Sequence, residues 1–461
     1  MLWAAPLQAQ TQEEEMRAMR LELQQLRQEL DSLRDEVRQM KAPAAPAEVA
    51  GGHPQAATNQ ETAQGLTQPA AQSGSAEETS VADALPLLQA QVAEQAQTKV
   101  ESNSKLPVKI FGTIVSNTFF NTGEVNWLDN PNIVVPAPVS LPAGSFSSTL
   151  RQSRIGAVVE GPTIGSANAN GFFAVDFLGG IPNFQTGQVM GIPRLLYAFV
   201  RVEGAKTVLE VGQDHMILAP RNPTSLAAMS FPDLYRSGNL YLRAPQVGVE
   251  HTFTAGKSGD FLAAGGILAP IAGDFASNSF TFVPPNLAGE RSRWPALEAR
   301  LAWRARPANA GEEKGWEIGI SGHYGRERYV AGITPSWATA LDFDAHSGRV
   351  GFGGEWFVGR NLDAFGGALG QLAKSTGGFF EGRLRATSRL EFNTGLGKDR
   401  LFDLRGFPAA LTGNTSVYAN TIFRWTPELA SSVEYRWLST VPAQGEARRN
   451  NHINFVLAYS F

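Results

Sequence analysis

The chain contains no cysteine and carries little net charge. Its 461 residues have a formal charge of -4 at pH 7. The absence of thiols excludes disulfides, thiol catalysis and thiolate metal sites. A net charge this small gives no argument for a nucleic-acid partner, and we expect none.

Long apolar runs are also missing. The stretch from Leu195 to Val200 is among the longest, whereas a membrane-spanning helix needs roughly 18 apolar residues. A membrane barrel needs no such run, because its strands satisfy one another's backbone polar groups. Each strand requires only that apolar and polar residues alternate along it. The hydrophobic fraction of 43% fits a barrel with a wet lumen and fits a soluble protein equally well.

The last eleven residues, NHINFVLAYSF, show this alternation clearly. Apolar side chains occupy every second position, at Ile453, Phe455, Leu457, Tyr459 and Phe461. Because alternate side chains leave opposite faces of a strand, one face is apolar and the other is small or polar, with only Val456 out of phase. The edge of a soluble sandwich could look similar. The segment also resembles the closing strand of bacterial outer-membrane barrels, which implies a signal read by the barrel-insertion machinery.

From residue 106 to 461 the sequence predicts an all-β transmembrane β-barrel of about sixteen antiparallel strands. The predicted strands are 107–119, 149–160, 170–179, 194–203, 207–213, 239–253, 260–269, 294–306, 315–325, 337–344, 349–359, 378–386, 388–397, 415–425, 430–439 and 451–461. The weakest pattern is that of 337–344. Connections after odd strands are mostly long and those after even strands mostly short, as in barrels with both termini in the periplasm.

The strand patterns also separate two faces of the barrel. Leu297 and Leu301, for example, alternate with Glu298 and Arg300. An arginine facing lipid at mid-depth would cost about 2–4 kcal/mol, so the apolar face is expected to meet lipid and the charged face the lumen. A barrel of about sixteen strands is too wide to be filled by side chains. The predicted function is therefore a porin for passive diffusion of small polar solutes.

The connection after the fifth predicted strand, Gln213–Gly238, is long and unusually apolar, and it contains three prolines. A loop standing in water would not need this apolar content, but a loop folded into the barrel would. The alternative is a loop packed over the rim or into a subunit contact. The candidate constriction residues are Asp214, His215, Arg221, Asp233 and Arg236.

The predicted pore wall is rich in arginine. By alternation it comprises Arg154, Arg201, Arg243, Glu298, Arg300, Arg304, Glu381, Arg383, Arg385, Arg424 and Arg436. Arginine binds carboxylate and phosphate through two parallel hydrogen bonds, so this wall would suit small anions such as dicarboxylates. Acidic residues of the same face nearly balance the arginines, and solvated ion pairs explain the pattern equally well.

Three further segments precede the barrel. Residues 1–9 end in Leu-Gln-Ala and resemble the remnant of a secretory signal peptide. Residues 10–41 carry an unbroken heptad pattern that predicts a parallel coiled coil, although a helix packed on its own chain is the alternative. The stability of an isolated helix this short is marginal, so an oligomeric barrel would help to hold the helices of the coiled coil together. Residues 42–105 form an Ala/Pro/Gln-rich segment, predicted as a disordered linker with a short helix.

Several stretches resemble one known family. Arg151–Pro162, Gly171–Gly180, Pro193–Gly204 and Gly353–Leu362 resemble the DcaP-like trimeric outer-membrane porins. The resemblance implies a homotrimer, a periplasmic coiled coil, a third loop folded into the pore and passage of small anions or dicarboxylates. The long linker departs from the family, and the pore-lining residues do not match one by one. The phosphate-selective porins are a nearby alternative.

Two other functions compete with a porin. An enzyme in the barrel would need a histidine paired with serine or an acid, and none of the six histidines lies in a nucleophile motif. We therefore expect no enzyme, no cofactor and no metal site. A barrel serving mainly as an outer-membrane anchor for a periplasmic tether is the second alternative. The expected partners are copies of the same chain, outer-membrane lipid, the barrel-insertion machinery and small-molecule solutes.

Overall fold

The computed structural model describes residues 107–180, 191–256, 258–270, 287–305, 314–366, 372–403 and 411–461. The predicted signal-peptide remnant at 1–9, the coiled coil at 10–41 and the linker at 42–105 lie outside these residues. Within the described ranges, no helix is both long and apolar enough to cross a membrane.

A single antiparallel sheet of seventeen strand segments makes up about two-thirds of the described residues. The segments are β1 Val108–Asn121, β2 Ser145–Thr149, β3 Arg154–Ile164, β4 Ala167–Asp176, β5 Arg194–Glu203, β6 Thr207–His215, β7 Arg243–Ala255, β8 Gly259–Leu268, β9 Ala296–Ala305, β10 Lys314–Tyr329, β11 Gly332–Ser347, β12 Val350–Arg360, β13 Lys374–Arg385, β14 Leu390–Asp403, β15 Leu411–Arg424, β16 Leu429–Pro442 and β17 Arg448–Ser460. One helical turn, Ala288–Arg291, and one 3-10 turn, Asp363–Phe365, lie in connections.

The sheet closes into a barrel of sixteen wall strands, which confirms the predicted count. Strands β2 and β3 pair with the two halves of β1, Thr149 opposite Asn117 and Arg154 opposite Thr113. The two segments are therefore one interrupted wall strand. Strand β1 also pairs with β17, where Thr113 lies opposite Ser460, and this pairing leaves no free edge.

The connections at the two ends of the barrel differ in length. The four longest, 122–144, 177–193, 216–242 and 269–295, all lie at one end, here called the long-loop end. The connections at the opposite, short-turn end contain at most eight residues. The predicted alternation is therefore confirmed, with the two-residue turn 330–331 as an exception at the long-loop end.

The strand predicted at 337–344 was too short. Strand β11 has sixteen residues and pairs along its whole length with β10. Thr334, Pro335 and Ser336 have the composition of a turn, yet each lies opposite a residue of β10. Propensity is overridden here by pairing with the neighbouring strand, as is common in sheets.

The two predicted faces are present in the barrel. On β17 the side chain of Phe455 is 56% exposed, whereas that of neighbouring Asn454 is fully buried. On β9 Leu301 is exposed and Arg300 is buried on the inside. The outer face of these strands is thus apolar and their polar residues point inward, except near the long-loop end.

One inward patch is apolar, and it explains why Val456 is out of phase. Val456 and Ala458 of β17 join Val115 of β1 and Ile422 of β15 in a buried cluster. Leu226, from the connection between β6 and β7, completes this cluster from inside the barrel. Apolar residues face inward here because a loop, and not water, covers them.

Candidate functional site: the loop inside the barrel

The connection 216–242, here called the inner loop, lies along the inner wall of the barrel. Its first arm binds inward side chains of successive strands through its backbone. Ile217 and Leu218 donate their N–H groups to the Glu298 carboxylate of β9, at 2.7 and 2.9 Å. Thr224 donates its N–H to Glu381 of β13 at 2.5 Å. Carboxylates that accept such bonds satisfy backbone groups that a buried loop would otherwise leave unpaired.

The tip of the inner loop reaches β1 and the interruption between β2 and β3. The carbonyl oxygen of Ala227 accepts from the side-chain amides of Asn117 and Gln152, at 3.0 and 2.8 Å. Gln152 in turn accepts from the N–H of Met229 at 2.9 Å. The tip therefore combines this polar clamp with the apolar cluster around Leu226.

The return arm is held against β12 to β15. Asn414 of β15 donates to the Arg236 carbonyl at 3.0 Å, and Leu240 donates its N–H to Glu355 of β12 at 3.0 Å. The approach is close at Gly397, where a Cβ atom would lie 1.9 Å from the Ser237 carbonyl oxygen. A glycine is therefore required on β14 for the loop to pack against it.

Tyr241 closes the return arm. Burial raises the pKa of its hydroxyl above the ordinary value, so the group keeps its proton. The hydroxyl donates to the Ser230 carbonyl at 3.4 Å, within the inner loop itself. Its backbone N–H donates to Phe365 at 2.8 Å, which ties the arm to the connection between β12 and β13.

Arg436 of β16 is the largest fully buried side chain among the described residues. Its guanidinium forms ion pairs with Asp233 of the inner loop and with Glu434. It also donates to the Asn130 side chain at 2.7 Å and to the Pro131 carbonyl at 3.0 Å. One side chain thus joins the inner loop, the first long connection and the wall.

A cluster of arginines lies where the first arm passes β9 to β11. Arg221 of the inner loop contacts Glu317 at 2.6 Å and Asp342 at 3.0 Å. Arg300 contacts the same two carboxylates, at 2.7 and 2.6 Å, and Arg304 contacts Glu317 at 2.7 Å. Three guanidinium groups therefore share these two carboxylates. The Arg304 side chain is 29% exposed, compared with 8% for Arg300 and 14% for Arg221.

A second charged cluster lies on β5 and β6. Arg201 contacts Glu210 at 2.5 Å and Asp214 at 2.8 Å. Because one guanidinium faces two carboxyl groups, this cluster has no excess of positive charge. The two clusters are therefore electrically unlike, and β7 and β8 separate them along the wall.

An open cavity of about 230 Å³ lies between the inner loop and this part of the wall. Its lining includes both clusters, with Arg201, Glu210 and Asp214 on one side and Arg221, Arg304 and Glu317 on the other. The inward residues Gly248 of β7 and Ala264 of β8 also line it. Small side chains at these positions leave the space that larger ones would fill.

The predicted constriction residues do not all lie together. Arg221 and Asp214 line the cavity, and so does His215, which is the last residue of β6 and shares a hydrogen bond of 2.7 Å with the Tyr197 hydroxyl. Asp233 points from the inner loop to the wall, where it pairs with Arg436 of β16. The Arg236 guanidinium stacks on the Tyr235 ring at 5.5 Å, in the return arm.

The predicted wall residues also divide into groups. Glu298, Glu381 and Arg436 hold the inner loop, as described above, while Arg201, Arg300 and Arg304 line the cavity. The remaining residues have other neighbours. Arg243 stacks on Tyr197 and Tyr241, Arg154 is buried on β3, Arg383 pairs with Asp344, Arg424 pairs with Glu391 at 2.8 Å, and Arg385 ends β13 at the short-turn end.

The sequence-based set missed three carboxyl groups of the cavity region. Glu317, Asp342 and Glu210 are the partners of the arginines, and none was among the predicted pore residues. Alternation along the strand could have predicted that they face inward. Glu317, for example, lies between the outward residues Trp316 and Ile318. Among the described residues, no group of three His, Asp or Glu side chains could hold a metal ion.

The outer membrane channel DcaP of Acinetobacter baumannii aligns with this chain at a TM-score of 0.58 and 15% identity. The alignment covers 78% of this chain and 99% of that channel. The chain has the fold of a DcaP-type outer-membrane channel. The likeness expected from the sequence motifs is therefore confirmed at the level of the fold.

Other solved structures align less well. A loop L8 deletion mutant of OmpT, an outer membrane protein of Vibrio cholerae, covers 78% of this chain and 100% of its own, and the anion-selective porin from Comamonas acidovorans covers 77% and 100%. Both have a TM-score of 0.49 and 10% identity. No protein-family model and no curated protein matches this sequence.

Proposed function

We propose that this chain is a porin of the bacterial outer membrane that lets small polar solutes diffuse passively. One observation carries the proposal: a barrel with an apolar outer face has a charged cavity open on one side of an inner loop. Water and polar solutes need such a lumen, and lipid needs such an outer face.

In this proposal the inner loop is the constriction. It occupies the side of the lumen next to β9 to β17 and β1, because its anchors lie on those strands. The passage would then run through the cavity next to β5 to β10. A solute there would meet the arginine cluster on one side and the Arg201 cluster on the other, within a narrow space where charges act strongly.

The permeating solutes are proposed to be small anions such as dicarboxylates. The grouping of three arginines, Arg221, Arg300 and Arg304, beside the cavity supports this preference, and Arg304 is the most exposed of them. A guanidinium binds a carboxylate through two parallel N–H···O bonds. Phosphate is recognised by the same geometry, so phosphate selectivity is the alternative that the experiment must separate.

The test is single-channel current in a planar bilayer, with the reversal potential measured in a salt gradient. We expect an anion-selective wild type and a loss of that preference in Arg304→Gln. The control is Arg424→Gln, because Arg424 forms its ion pair with Glu391, another residue of the wall. A trimeric, folded preparation that shows no conductance would contradict the porin proposal.

Two further measurements refine the solute. Blocking of chloride current by succinate and by phosphate should differ, and stronger block by succinate supports dicarboxylates. Stronger block by phosphate supports the phosphate-selective alternative. Equal currents in wild type and Arg304→Gln, with unchanged reversal potential, would place selectivity elsewhere on the wall.

We propose that the chain assembles as a homotrimer through its barrel walls and a periplasmic coiled coil at 10–41. Lipid would contact the remaining outer face, and the C-terminal residues Ile453 to Phe461 would be read by the insertion machinery. The test is native mass spectrometry of the full chain and of a variant without residues 10–105. If trimers and conductance survive the deletion, the extension serves tethering or assembly; if trimers are lost, it holds the subunits together.

A further inference from the structure

Five cationic side chains project outward from the alternate strands β10, β12 and β14 near the long-loop end. They are Arg326 and Arg328 on β10, Arg360 on β12, and Lys398 and Arg400 on β14. Their direction follows from alternation, because the neighbours Glu327, Gly359 and Asp399 are buried on the inner face. These five residues are called the basic belt below.

The basic belt lies at one level of the barrel. Counted from the short-turn end, Arg326 is residue thirteen of β10, Arg360 residue eleven of β12 and Arg400 residue eleven of β14. A strand crosses the hydrocarbon core in about 9–11 residues, so these guanidinium groups lie at its far margin. Adjacent strands are about 4.8 Å apart, which makes the belt roughly 19 Å wide from β10 to β14.

The basic belt is confined to one side of the barrel. In the described part of strands β1 to β9, no lysine or arginine faces outward. On β15 to β17 the outward cation is Arg449, in the residues that the structure covers. Cations that only extend their charge into water at a membrane surface would have no reason to gather within the arc from β10 to β14. The grouping indicates a localised anionic partner.

No acidic partner within the described chain neutralises the basic belt. The acids next to them in sequence, Glu327 and Asp399, point into the barrel. Aromatic rings and a carbonyl position the guanidinium groups instead. Arg326 stacks on Trp294 at 4.7 Å and donates to the Tyr324 hydroxyl at 3.3 Å, and Arg360 donates to the Leu372 carbonyl at 3.3 Å. A guanidinium has five N–H donors, so both retain donors for a ligand.

We infer that the basic belt binds the phosphate-bearing headgroup of a lipid in the leaflet next to the long loops. The inference rests on the proposed function, since it requires the barrel to span a membrane. Lipid phosphates lie at the depth where the belt lies, and arginine binds phosphate through two parallel hydrogen bonds. Three arginines spaced by about two strands, or roughly 10 Å, match a headgroup with more than one phosphate.

The experiment measures retention of diphosphorylated lipid A and of its dephosphorylated form by the full chain in neutral detergent, using native mass spectrometry. The test variant is Arg326→Gln/Arg360→Gln/Arg400→Gln. The control is Lys206→Gln/Arg349→Gln/Arg389→Gln, which removes three exposed cations from the short turns at the other end. Both variants lose the same charge, so net charge cannot explain a difference between them.

We expect the phosphorylated lipid to bind wild type at least tenfold more tightly than the dephosphorylated form. The belt variant should lose at least tenfold of this affinity, whereas the control should stay within twofold. Equal losses in both variants, or equal binding of both lipids, would overturn the inference. Displacement by an equal concentration of inorganic phosphate would also overturn it, because the belt would then be a general anion site.

Conductance separates this inference from the proposed function. The belt variant should conduct like wild type in a bilayer of neutral lipid, because its substitutions lie outside the lumen. A wild type that binds lipid without conducting would contradict the porin and leave the belt supported. The single variant Arg360→Gln provides the same comparison if the triple variant does not fold.

Discussion

Replacing Arg436 by glutamine should release the inner loop while the barrel stays closed. The Arg436 side chain is fully buried and pairs with Asp233 of the loop and Glu434 of its own strand. Glutamine removes the cation and leaves both carboxyl groups buried. The backbone of residue 436 remains paired with Tyr418 and His452, so the wall keeps its pairing between strands.

The size of the effect follows from the loss of a buried ion pair. Removing one partner of such a pair costs about 3–5 kcal/mol, because the other charge stays buried and uncompensated. Each 1.4 kcal/mol changes an equilibrium tenfold. The equilibrium between the docked and the released loop should therefore shift by about a hundredfold or more toward release.

Single-channel recording detects the released loop as a state of higher conductance. We expect Arg436→Gln to spend far more time in this state than wild type. Arg424→Gln is the matched control, since it breaks a wall ion pair with Glu391 that does not involve the loop. The double variant Asp233→Asn/Arg436→Gln should regain part of the docking, because it removes a buried charge from each partner.

The reasoning is refuted if Arg436→Gln shows wild-type current levels while its barrel is folded. It is also refuted if Arg424→Gln produces the same high-conductance state, because the effect would then reflect general loosening of the wall. The folded state of each variant is checked by circular dichroism and by trimer content.

Three other predictions concern the cavity, the loop tip and the outer face. Gly248→Gln should lower the conductance, because its side chain enters the cavity, whereas Gly265→Ala on the adjacent strand should not, since Gly265 faces outward. Val456→Asn should weaken docking of the loop tip by about 1–3 kcal/mol, measured as faster cleavage of the loop by protease in detergent; unchanged cleavage would contradict the apolar cluster as an anchor. Phe455→Lys, near the middle of β17, should lower the free energy of unfolding in lipid vesicles by about 2–4 kcal/mol, measured in urea against Phe455→Leu, and equal stabilities would show that this face does not meet lipid.

The sequence predicted the barrel well because alternation is a local property of each strand. Leu297 to Arg304 and Ile453 to Phe461 show which side chains share a face without any knowledge of the neighbouring strands. The inner loop was predicted from its apolar content for a similar reason. Its boundaries were less accurate, since β6 extends to His215 and β7 begins only at Arg243.

The sequence by itself therefore determined a barrel with about sixteen strands, an apolar outer face and a loop suited to its interior. Only the tertiary structure decided what each inward charge does. Closing the barrel brings Glu298, Glu381 and Glu434 to loop residues that are 81, 157 and 209 positions away in the chain. Alternation shows that these carboxylates face inward, but it carries no information across such separations. The contacts depend on where ring closure places each strand, which is why anchors and cavity residues looked alike in the sequence.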